Sequence, residues 1–413
     1  MRNQPLLSVI TVLGTALAIA LIMVILIVYQ AKTADYAPEV NRSRSLYVKW
    51  ERTVYDKKDP NSAGHSRPSL WLVKEIFYPL TTPEAVTATY EGGEVLVGTV
   101  GSDEEMNTPL MLTDAAFWKV YQFRFLAGKP FTEADFQSGM KQAVIAKSVA
   151  RRLFGGAENA IGKDILVNFA AYTVCGVVDD VNRFCEFTWS EVYAPYTSNA
   201  IASEAEAGQT SGNNVITILA RSTDDFDAIR NEVARGVAQI NTTLGDMELQ
   251  LMGQPDNFRM QLNRKFANQY ENLNANFWKY GIMILIILLV PAINLSGLTN
   301  TRMRRRLEEL GIRKAFGATR NELVWQVLNE NLVLTVMGGL LGLALAYLFL
   351  WLMSDWLLQT VWGATATMNA SMVSPVIFLI AFGFCLILNM FSAYVPAWRV
   401  AHTLIVDSLN EKL

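Results

Sequence analysis

Four long apolar segments alternate with polar stretches along this chain of 413 residues. They cover residues 5–29, 277–298, 329–353 and 374–396. An α-helix rises about 1.5 Å per residue and the hydrocarbon core of a bilayer is about 30 Å thick, so each segment can cross that core as a helix. The pattern predicts an integral membrane protein with four transmembrane helices, and residues 31–274 form a large polar insert between the first and the second.

The insert alternates between strand and helix patterns, which predicts an α+β domain, in two lobes given its length. A helix follows Asp224, because apolar residues recur there at spacings of three and four. A shorter helix begins at Ser148 and ends at Gly155, and the polar residues 56–68 are predicted to form a loop. Strand patterns occupy residues 142–146, 164–169, 171–178, 215–220 and 247–252.

The end of the insert has a polar helical pattern. From Asp256 onwards the sequence contains neither proline nor glycine before Gly281, and it leads directly into the second apolar segment. A continuous helix here would form a stalk between the insert and the second transmembrane helix. Two helices with a break near residues 274–276 are the alternative.

Basic side chains are concentrated between the second and third apolar segments. Residues 301–320 carry seven arginines and lysines against two glutamates, a net charge of +5. Because basic loops stay in the cytoplasm, this loop and both termini are predicted to lie inside and the insert outside. The first apolar segment exceeds the hydrophobic part of a signal peptide and has no clear cleavage site, so an uncleaved anchor is predicted.

Composition and spacing narrow the function classes. Charged residues make up 18% of the chain and the formal net charge is −3, which does not suggest a nucleic-acid partner. No charged side chain lies in the middle of an apolar segment, whereas ion-coupled transporters usually need one. Small residues recur every four positions and predict close helix packing. They are Gly14 and Ala18 in the first segment and Gly338, Gly342 and Ala346 in the third.

The sequence shows no catalytic constellation. The two histidines fall on opposite sides of the predicted membrane, and no metal-ligand spacing occurs. Residues 155–164 resemble a phosphate-binding loop, but Ala157 replaces its first glycine and Asp164 replaces the hydroxyl residue that would hold Mg²⁺, so a turn after a helix is predicted. Cys175 and Cys185 could form a disulfide in an oxidising exterior or remain two separate thiols.

The most specific segment is the basic loop with the start of the third apolar segment. The motif comprises Arg306, Glu309, Gly311, Ile312, Arg313, Lys314, Ala315, Gly317 and Ala318, followed by a glycine-rich helix. It resembles the permease subunits of the MacB/FtsX-like class of ABC transporters, which includes the lipoprotein-releasing LolC and LolE. Residues 116–136, 144–165, 172–181, 192–197 and 394–409 are similar to further segments of that class, so the resemblance covers nearly the whole chain.

The resemblance implies an organisation in three parts. Residues 1–30 would be a cytoplasmic stub with transmembrane helix 1, and residues 31–274 a MacB-like periplasmic α+β domain with a C-terminal stalk helix. Residues 275–413 would be an FtsX-like permease domain, with transmembrane helices 2–4 and a cytoplasmic coupling helix over 301–322. The protein would lie in the bacterial inner membrane.

The resemblance also implies partners. A separate cytoplasmic ABC ATPase would bind ATP and Mg²⁺, while this chain would bind no cofactor and catalyse no reaction. A second permease chain would complete a homodimer or heterodimer in the bilayer, and a periplasmic adaptor could join them. The ATPase would dock on Arg306, Glu308, Glu309, Gly311, Ile312, Arg313, Lys314, Ala315, Gly317 and Ala318.

In that class, closure of the ATPases moves the exterior domain, which is called mechanotransmission, and this exports or extracts a peptide, lipoprotein or antibiotic. The alternative for the basic loop is anchoring to anionic lipid headgroups. The alternatives for the whole chain are a membrane-anchored sensor with a periplasmic ligand-binding domain and an exterior enzyme on an anchor. The small predicted cytoplasmic mass disfavours the sensor, and the missing catalytic constellation disfavours the enzyme.

Overall fold

The structure, a computed structural model, describes residues 5–99, 101, 104–268 and 316–357, and in addition 278, 282, 376, 378–380, 382–383, 386–387, 390–391, 394 and 398. The chain divides into two compact units. The helical unit consists of Met1–Lys32 with Asn274–Leu413, and the α+β unit is Thr33–Leu273.

The elements are as follows in chain order. The helices are α1 (Pro5–Thr33), α2 (Leu70–Leu72, continued by a π-helical turn Val73–Phe77), α3 (Phe117–Val120), α4 (Glu133–Gln137), α5 (Lys147–Phe154), α6 (Ala157–Ala160), α7 (Phe226–Thr243), α8 (Phe258–Asn263) and α9 (Arg320–Leu357). The strands are β1 (Ser45–Val48), β2 (Glu51–Asp56), β3 (Asp59–Pro68), β4 (Ala85–Gly98), β5 (Glu105–Thr113), β6 (Phe125–Gly128), β7 (Gln142–Ala146), β8 (Asp164–Val167), β9 (Ala170–Val178), β10 (Val192–Pro195), β11 (Ser211–Gly212), β12 (Asn214–Leu219), β13 (Glu248–Gln250) and β14 (Asp256–Asn257).

A mixed sheet of ten strands organises the α+β unit. Its order is β14–β1–β12–β4–β5–β10–β7–β9–β6, and β8 pairs with both β4 and β9. Neighbouring strands are antiparallel except for β10 with β5 and β7 with β9. A second sheet has the order β11–β3–β2–β13. The unit therefore has the predicted α+β fold, and its division into two lobes stays a prediction.

The interior strand β12 shows that the hydrophobic core covers both faces of the large sheet. It pairs with β1 on one side and β4 on the other, and all its residues are buried. Ile216 and Ile218 belong to one apolar cluster, whereas Val215 and Leu219 belong to another. Successive side chains of a strand point to opposite faces, so these two clusters cover the two faces of the sheet.

Hydrophobic periodicity predicted several elements of this unit correctly. β7 occupies the predicted residues, and α5 ends before Gly155, whose φ of 76° suits glycine. The predicted strand pair over 164–178 forms β8 and β9. α7 follows a capping box between Ser222 and Asp225 and buries Ile229, Val233 and Ile240 along the predicted face.

The loop predicted for residues 56–68 is wrong. Most of this segment is β3, which pairs with β2 on one side and with β11 on the other. Side chains of β3 are largely exposed or half-buried, so its sequence lacks the alternation that marks a strand with one buried face. Backbone hydrogen bonds to its two neighbours hold it in the sheet, and a local pattern does not report such bonds.

The continuous helix predicted from Asp256 is wrong at its start. α8 is six residues long, and Arg264 ends it with a φ of −83° and a ψ of 105°. The Arg264 guanidinium donates to the carbonyls of Ala267 (2.9 Å) and Met252 (3.2 Å) and to the Asp256 carboxylate. The chain thus wraps around a buried arginine. The rest of the predicted stalk and the alternative break near residues 274–276 lie outside the described residues.

Among the described residues of the helical unit, one helix is long and apolar enough to cross a membrane. It is Asn321–Met353, within α9. The stretch Val12–Ile27, within α1, is a shorter apolar helical stretch. α9 begins nine residues before the apolar segment predicted at Asn329, and its first turns mix polar residues such as Arg320, Asn321 and Glu322 with apolar ones. The second apolar segment and most of the fourth lie outside the described residues, so four transmembrane helices remain a proposal.

The turn between β8 and β9 yields a stability prediction. Asn168 and Phe169 have φ values of 45° and 68°, and the Phe169 side chain is 79% exposed. We expect Phe169→Gly to raise the free energy of unfolding by about 1 kcal/mol, because glycine adopts this conformation without a Cβ clash. Thermal unfolding of the full chain in detergent measures the gain. Phe169→Ala is the matched control, since it removes the ring but keeps Cβ. Equal stabilisation by both variants would show that backbone strain is not the cause.

Candidate functional site

Two apolar helices, α1 and α9, make close contact at glycines of α9. A Cβ added at Gly338 would lie 2.8 Å from the Thr15 Cβ, and one added at Gly342 would lie 2.7 Å from the Ala16 carbonyl oxygen. Both distances are too short for a real side chain, so glycine is required for the helices to come this near. Ala346, one turn further along α9, is fully buried.

Gly14, one of the two residues of α1 predicted to pack closely, does not lie at this contact. Among the described residues, nothing lies within 4 Å of a Cβ added at Gly14, and the Ala18 side chain is outside the described set. The residues of α1 that lie against Gly338 and Gly342 include Thr15, Ala16 and Ile19, and all three are buried. The spacing of small residues identifies positions where two helices can approach closely. The shape of the partner helix decides which face of α1 makes the contact.

A third helical segment joins this contact. Phe382, in the predicted fourth span, lies against the position where a Cβ of Gly339 would be. Phe378 and Phe382 stack with ring centroids 5.7 Å apart and pack on a cluster that includes Ile19 and Leu350. Side chains from three of the four predicted spans therefore meet in the described part of the helical unit.

α9 begins at a reciprocal cap that the sequence reasoning missed. The Thr319 amide donates to Oε2 of Glu322 (2.8 Å), and the Glu322 amide donates to Oγ1 of Thr319 (3.4 Å). Threonine followed by glutamate three positions later, before an apolar run, is the sequence signal of such a cap. Gly317 precedes it with a φ of 97°. Residues 316–319, within the range predicted for the coupling helix, therefore form a turn, residues 320–322 belong to α9, and residues 301–315 lie outside the described residues.

Most residues predicted to dock an ATPase lie outside the described residues. They are Arg306, Glu308, Glu309, Gly311, Ile312, Arg313, Lys314 and Ala315. Gly317 and Ala318 are described and lie in the turn before α9. Their docking role stays a prediction.

The two exterior cysteines are free thiols, which corrects the disulfide alternative. Sγ of Cys175 donates to the Ala143 carbonyl at 3.4 Å, and Sγ of Cys185 lies 3.9 Å from the Ala37 carbonyl. Burial raises the pKa of Cys175 to about 12 and also raises the pKa of Cys185. Both thiols are therefore protonated and poorly nucleophilic at neutral pH.

The phosphate-loop look-alike connects α5 to β8 through α6. A phosphate loop follows a strand and opens a helix, whereas this segment follows a helix and opens a strand. Asp164, at the position of the missing hydroxyl residue, accepts a hydrogen bond from Oγ1 of Thr173 at 2.7 Å. The predicted turn is confirmed. In the described part of the chain, no group of three or more His, Cys, Asp and Glu side chains could hold a metal ion.

Two family models match the chain one after the other. Residues 8–235 match the MacB-like periplasmic core domain, and residues 281–405 match the FtsX-like permease C-terminal domain. The chain belongs to the MacB/FtsX-like family of ABC transporter permeases. The MacB/FtsX-like chain is therefore a member of a membrane protein family with a periplasmic domain of α+β fold.

Curated relatives agree with this family. The chain is 23% identical to the uncharacterized ABC transporter permease YknZ of Bacillus subtilis, over 82% of this chain and 81% of that protein. It is 25% identical to the macrolide export ATP-binding/permease protein MacB of Wolinella succinogenes, over 82% of this chain and 50% of MacB. It is 27% identical to the pyoverdine export ATP-binding/permease protein PvdT of Pseudomonas syringae, over 56% and 34%. The chain thus spans half of that MacB and about a third of that PvdT.

Solved structures include periplasmic and extracellular parts of such transporters. The periplasmic region of MacB from Actinobacillus actinomycetemcomitans aligns with a TM-score of 0.35 and 14% identity, over 49% of this chain and 88% of that one. The extracellular domain of the transporter YknZ from Gram-positive bacteria aligns with a TM-score of 0.36 and 19% identity, over 50% and 99%.

The glycine contact yields a second prediction. We expect Gly342→Leu in this permease to cost about 1–3 kcal/mol, because the added side chain would overlap the α1 backbone at Ala16. The loss is measured as the temperature at which half of the detergent-solubilised chain leaves its monodisperse peak in size-exclusion chromatography. Gly14→Leu is the matched control in the partner helix and should leave that temperature unchanged. Equal losses in both variants would contradict the contact.

Proposed function

We propose that this chain is the membrane-spanning permease subunit of an ABC exporter. It couples ATP hydrolysis by a separate ATPase chain to movement of its own periplasmic domain. The succession of a MacB-like periplasmic core and an FtsX-like permease region in one chain carries this proposal. YknZ is named a permease, whereas the MacB and PvdT relatives are named ATP-binding/permease proteins. ATP and Mg²⁺ would bind to the partner ATPase.

The proposed topology has four transmembrane helices, with both termini in the cytoplasm and the α+β unit in the periplasm. The net charge of +5 on residues 301–320 supports it, because basic loops stay inside. The apolar length of Asn321–Met353 also supports it. The membrane would be the bacterial inner membrane.

The helical unit offers a route for motion. α9 has 38 residues, which corresponds to about 57 Å of helix, so it can act as one rigid lever. Its start is tied to the basic loop by the cap at Thr319, and its middle contacts α1 at Gly338 and Gly342. α1 in turn ends at Thr33, where the α+β unit begins. ATPase closure on the basic loop would move α9, and α9 would move α1.

A second permease chain, identical or related, would complete the complex, and a periplasmic adaptor could extend it. The cargo would be a peptide, lipoprotein, antibiotic or similar molecule handled by the periplasmic domain. The names of the MacB and PvdT relatives, which specify macrolide and pyoverdine export, support an export direction.

ATPase docking on the basic loop is tested with Gly311→Trp and Arg313→Ala. Truncating a central arginine at a protein interface costs about 2 kcal/mol, which is roughly 30-fold in affinity. We expect both variants to lose the ABC ATPase during purification of a tagged chain from its native membranes, with quantification by mass spectrometry. Expression and thermal unfolding of the chain should match wild type.

Arg302→Ala is the matched control, since it removes one positive charge from the same loop outside the motif. If the loop only anchors anionic lipid, Arg302→Ala and Arg313→Ala should have the same small effect, because six basic residues remain in either variant. Wild-type retention of the ATPase in both motif variants would defeat the docking assignment.

Topology is tested by labelling introduced cysteines with a membrane-impermeant maleimide. Cysteines replacing Asn61 or Glu204, both exposed in the α+β unit, should react when only the periplasmic face is accessible. A cysteine replacing Asn321 should react only after the inner membrane is permeabilised. The parent chain is the control for background labelling, because Cys185 is buried but Cys175 is only half-buried. Labelling at Asn321 from the periplasm would reverse the topology.

A further inference from the structure

Two buried arginines lie near the two ends of the α+β unit, outside every motif found in the sequence. Arg42 follows the end of α1 by nine residues, and Arg264 follows the end of α8. Their side chains are only 1% and 3% exposed. Burying a charged group is costly unless it is paired and its hydrogen bonds are satisfied, so the contacts of each arginine indicate what it holds in place.

Arg42 holds the segment that leaves α1. Its Nη1 donates to the Ala34 carbonyl at 2.7 Å, one residue after α1 ends, and its Nη2 donates to the Phe184 carbonyl at 2.8 Å. The guanidinium carbon lies 4.3 Å from the ring centre of Tyr36 and 4.7 Å from that of Phe258. Three parts of the chain, at residues 34–42, 184 and 258, therefore meet at one side chain.

Glu39 completes this first cluster. Its Oε2 accepts from Nε of Arg42 at 2.7 Å, and its Oε1 accepts from the Phe187 amide and from Oγ1 of Thr188, both at 3.0 Å. Burial raises the pKa of Glu39, and the neighbouring Arg42 limits the rise. Burial alone would lower the pKa of Arg42, but the Glu39 carboxylate and nearby groups raise it above the ordinary value, which keeps the guanidinium charged.

Arg264 holds the segment that leads towards the second apolar segment. Its Nε and Nη2 form a two-pronged contact with the Asp256 carboxylate, with Nη2 3.0 Å from Oδ1. Its Nη1 donates to the Ala267 carbonyl at 2.9 Å, and its Nη2 also reaches the Met252 carbonyl at 3.2 Å. A planar guanidinium matches a carboxylate in this way, whereas a lysine ammonium does not.

Phe258 connects the two clusters. Its ring faces Arg42 and packs on Tyr47 with centroids 5.8 Å apart, and Tyr47 stacks on Phe187 at 4.3 Å. The Phe187 amide leads back to Glu39, so the contacts close into a ring. Phe258 is also the first residue of α8, whose end Arg264 fixes. The segment after α1 and the segment after α8 are thus joined through a continuous set of buried contacts.

We propose that Arg42 and Arg264 are positioning residues that lock the two chain connections of the α+β unit into one rigid base. A displacement of residue 34 by α1 would then also displace residues 256–267. A displacement of residues 256–267 would in the same way displace residue 34. This inference rests on the proposed transmission of motion, but its test requires no ATPase. Failure of the docking test therefore leaves this proposal standing, and failure here leaves docking standing.

The test is hydrogen–deuterium exchange of the full chain in nanodiscs, read by mass spectrometry. Arg42→Lys keeps the charge but cannot reach Glu39, Ala34 and Phe184 in the same fork geometry. We expect it to accelerate exchange by about tenfold or more both in residues 34–41 and in residues 258–267. Arg264→Lys should accelerate exchange in the same two segments, whereas residues 142–154 should keep wild-type protection in both variants.

Arg67→Lys is the matched control. Arg67 is also paired with a carboxylate, that of Glu91 at 3.0 Å, but the pair joins β3 and β4 and lies in neither end segment. It should change exchange in neither end segment. If each arginine variant accelerated exchange only in its own segment, the proposal would be overturned. The pairing of β1 with β14 would then be enough to join the two ends of the unit. Unchanged exchange, or acceleration that includes residues 142–154, would overturn it as well.

Discussion

Buried arginine–carboxylate pairs lie near both ends of the α+β unit, and the path of its first and last segments depends on them. The pair Arg42–Glu39 lies just after α1, and the pair Arg264–Asp256 lies where α8 ends. Isolated buried charges would be strongly unfavourable, so each pair exists only because backbone carbonyls and aromatic rings complete its surroundings. The same contacts fix the path of the chain, since the carbonyls of residues 34 and 267 are among the acceptors.

A different constraint governs the helical unit. Apolar side chains gain little from packing on each other inside a bilayer, because lipid tails are equally apolar, so close backbone approach has to supply the contact. Gly338 and Gly342 allow that approach to α1, and Gly339 allows it to Phe382. A helix with larger residues here would stand further from α1. The contact that carries motion in the proposed mechanism is therefore the one least tolerant of added volume.

The buried ion pairs and the glycine contacts both fit one mechanism for transmitting motion through the chain. Family membership shows a permease with a periplasmic domain, and the proposed mechanism adds a route from the basic loop through α9 and α1 to residue 33. The chemistry that drives the cycle would belong to the ATPase, while this chain would supply stiffness and contact. In the proposed mechanism, function depends on how firmly the segments of this chain are joined.

Local pattern by itself determined much of this protein. Strand alternation at 142–146, the apolar face of α7, the αL stop at Gly155 and the apolar run of α9 depend on neighbouring residues alone, and each could be predicted. The motif around Gly311 and Arg313 identified the family from sequence, and the family matches bear this out.

Tertiary structure decided the features that depend on specific contacts rather than on the local pattern of apolar residues. β3 is a strand because β2 and β11 lie beside it, although its own residues look like a loop. α8 stops at Arg264 because Asp256 and the carbonyls around it capture the guanidinium. α1 presents Thr15 and Ala16 rather than Gly14 because the surface of α9 selects the face. β11 and α9 are distant in sequence from the segments that they decide, whereas β2 adjoins β3 and the acceptors of Arg264 lie within 12 residues of it. All three cases depend on specific hydrogen bonds or packing contacts, and the periodicity of apolar residues does not report these.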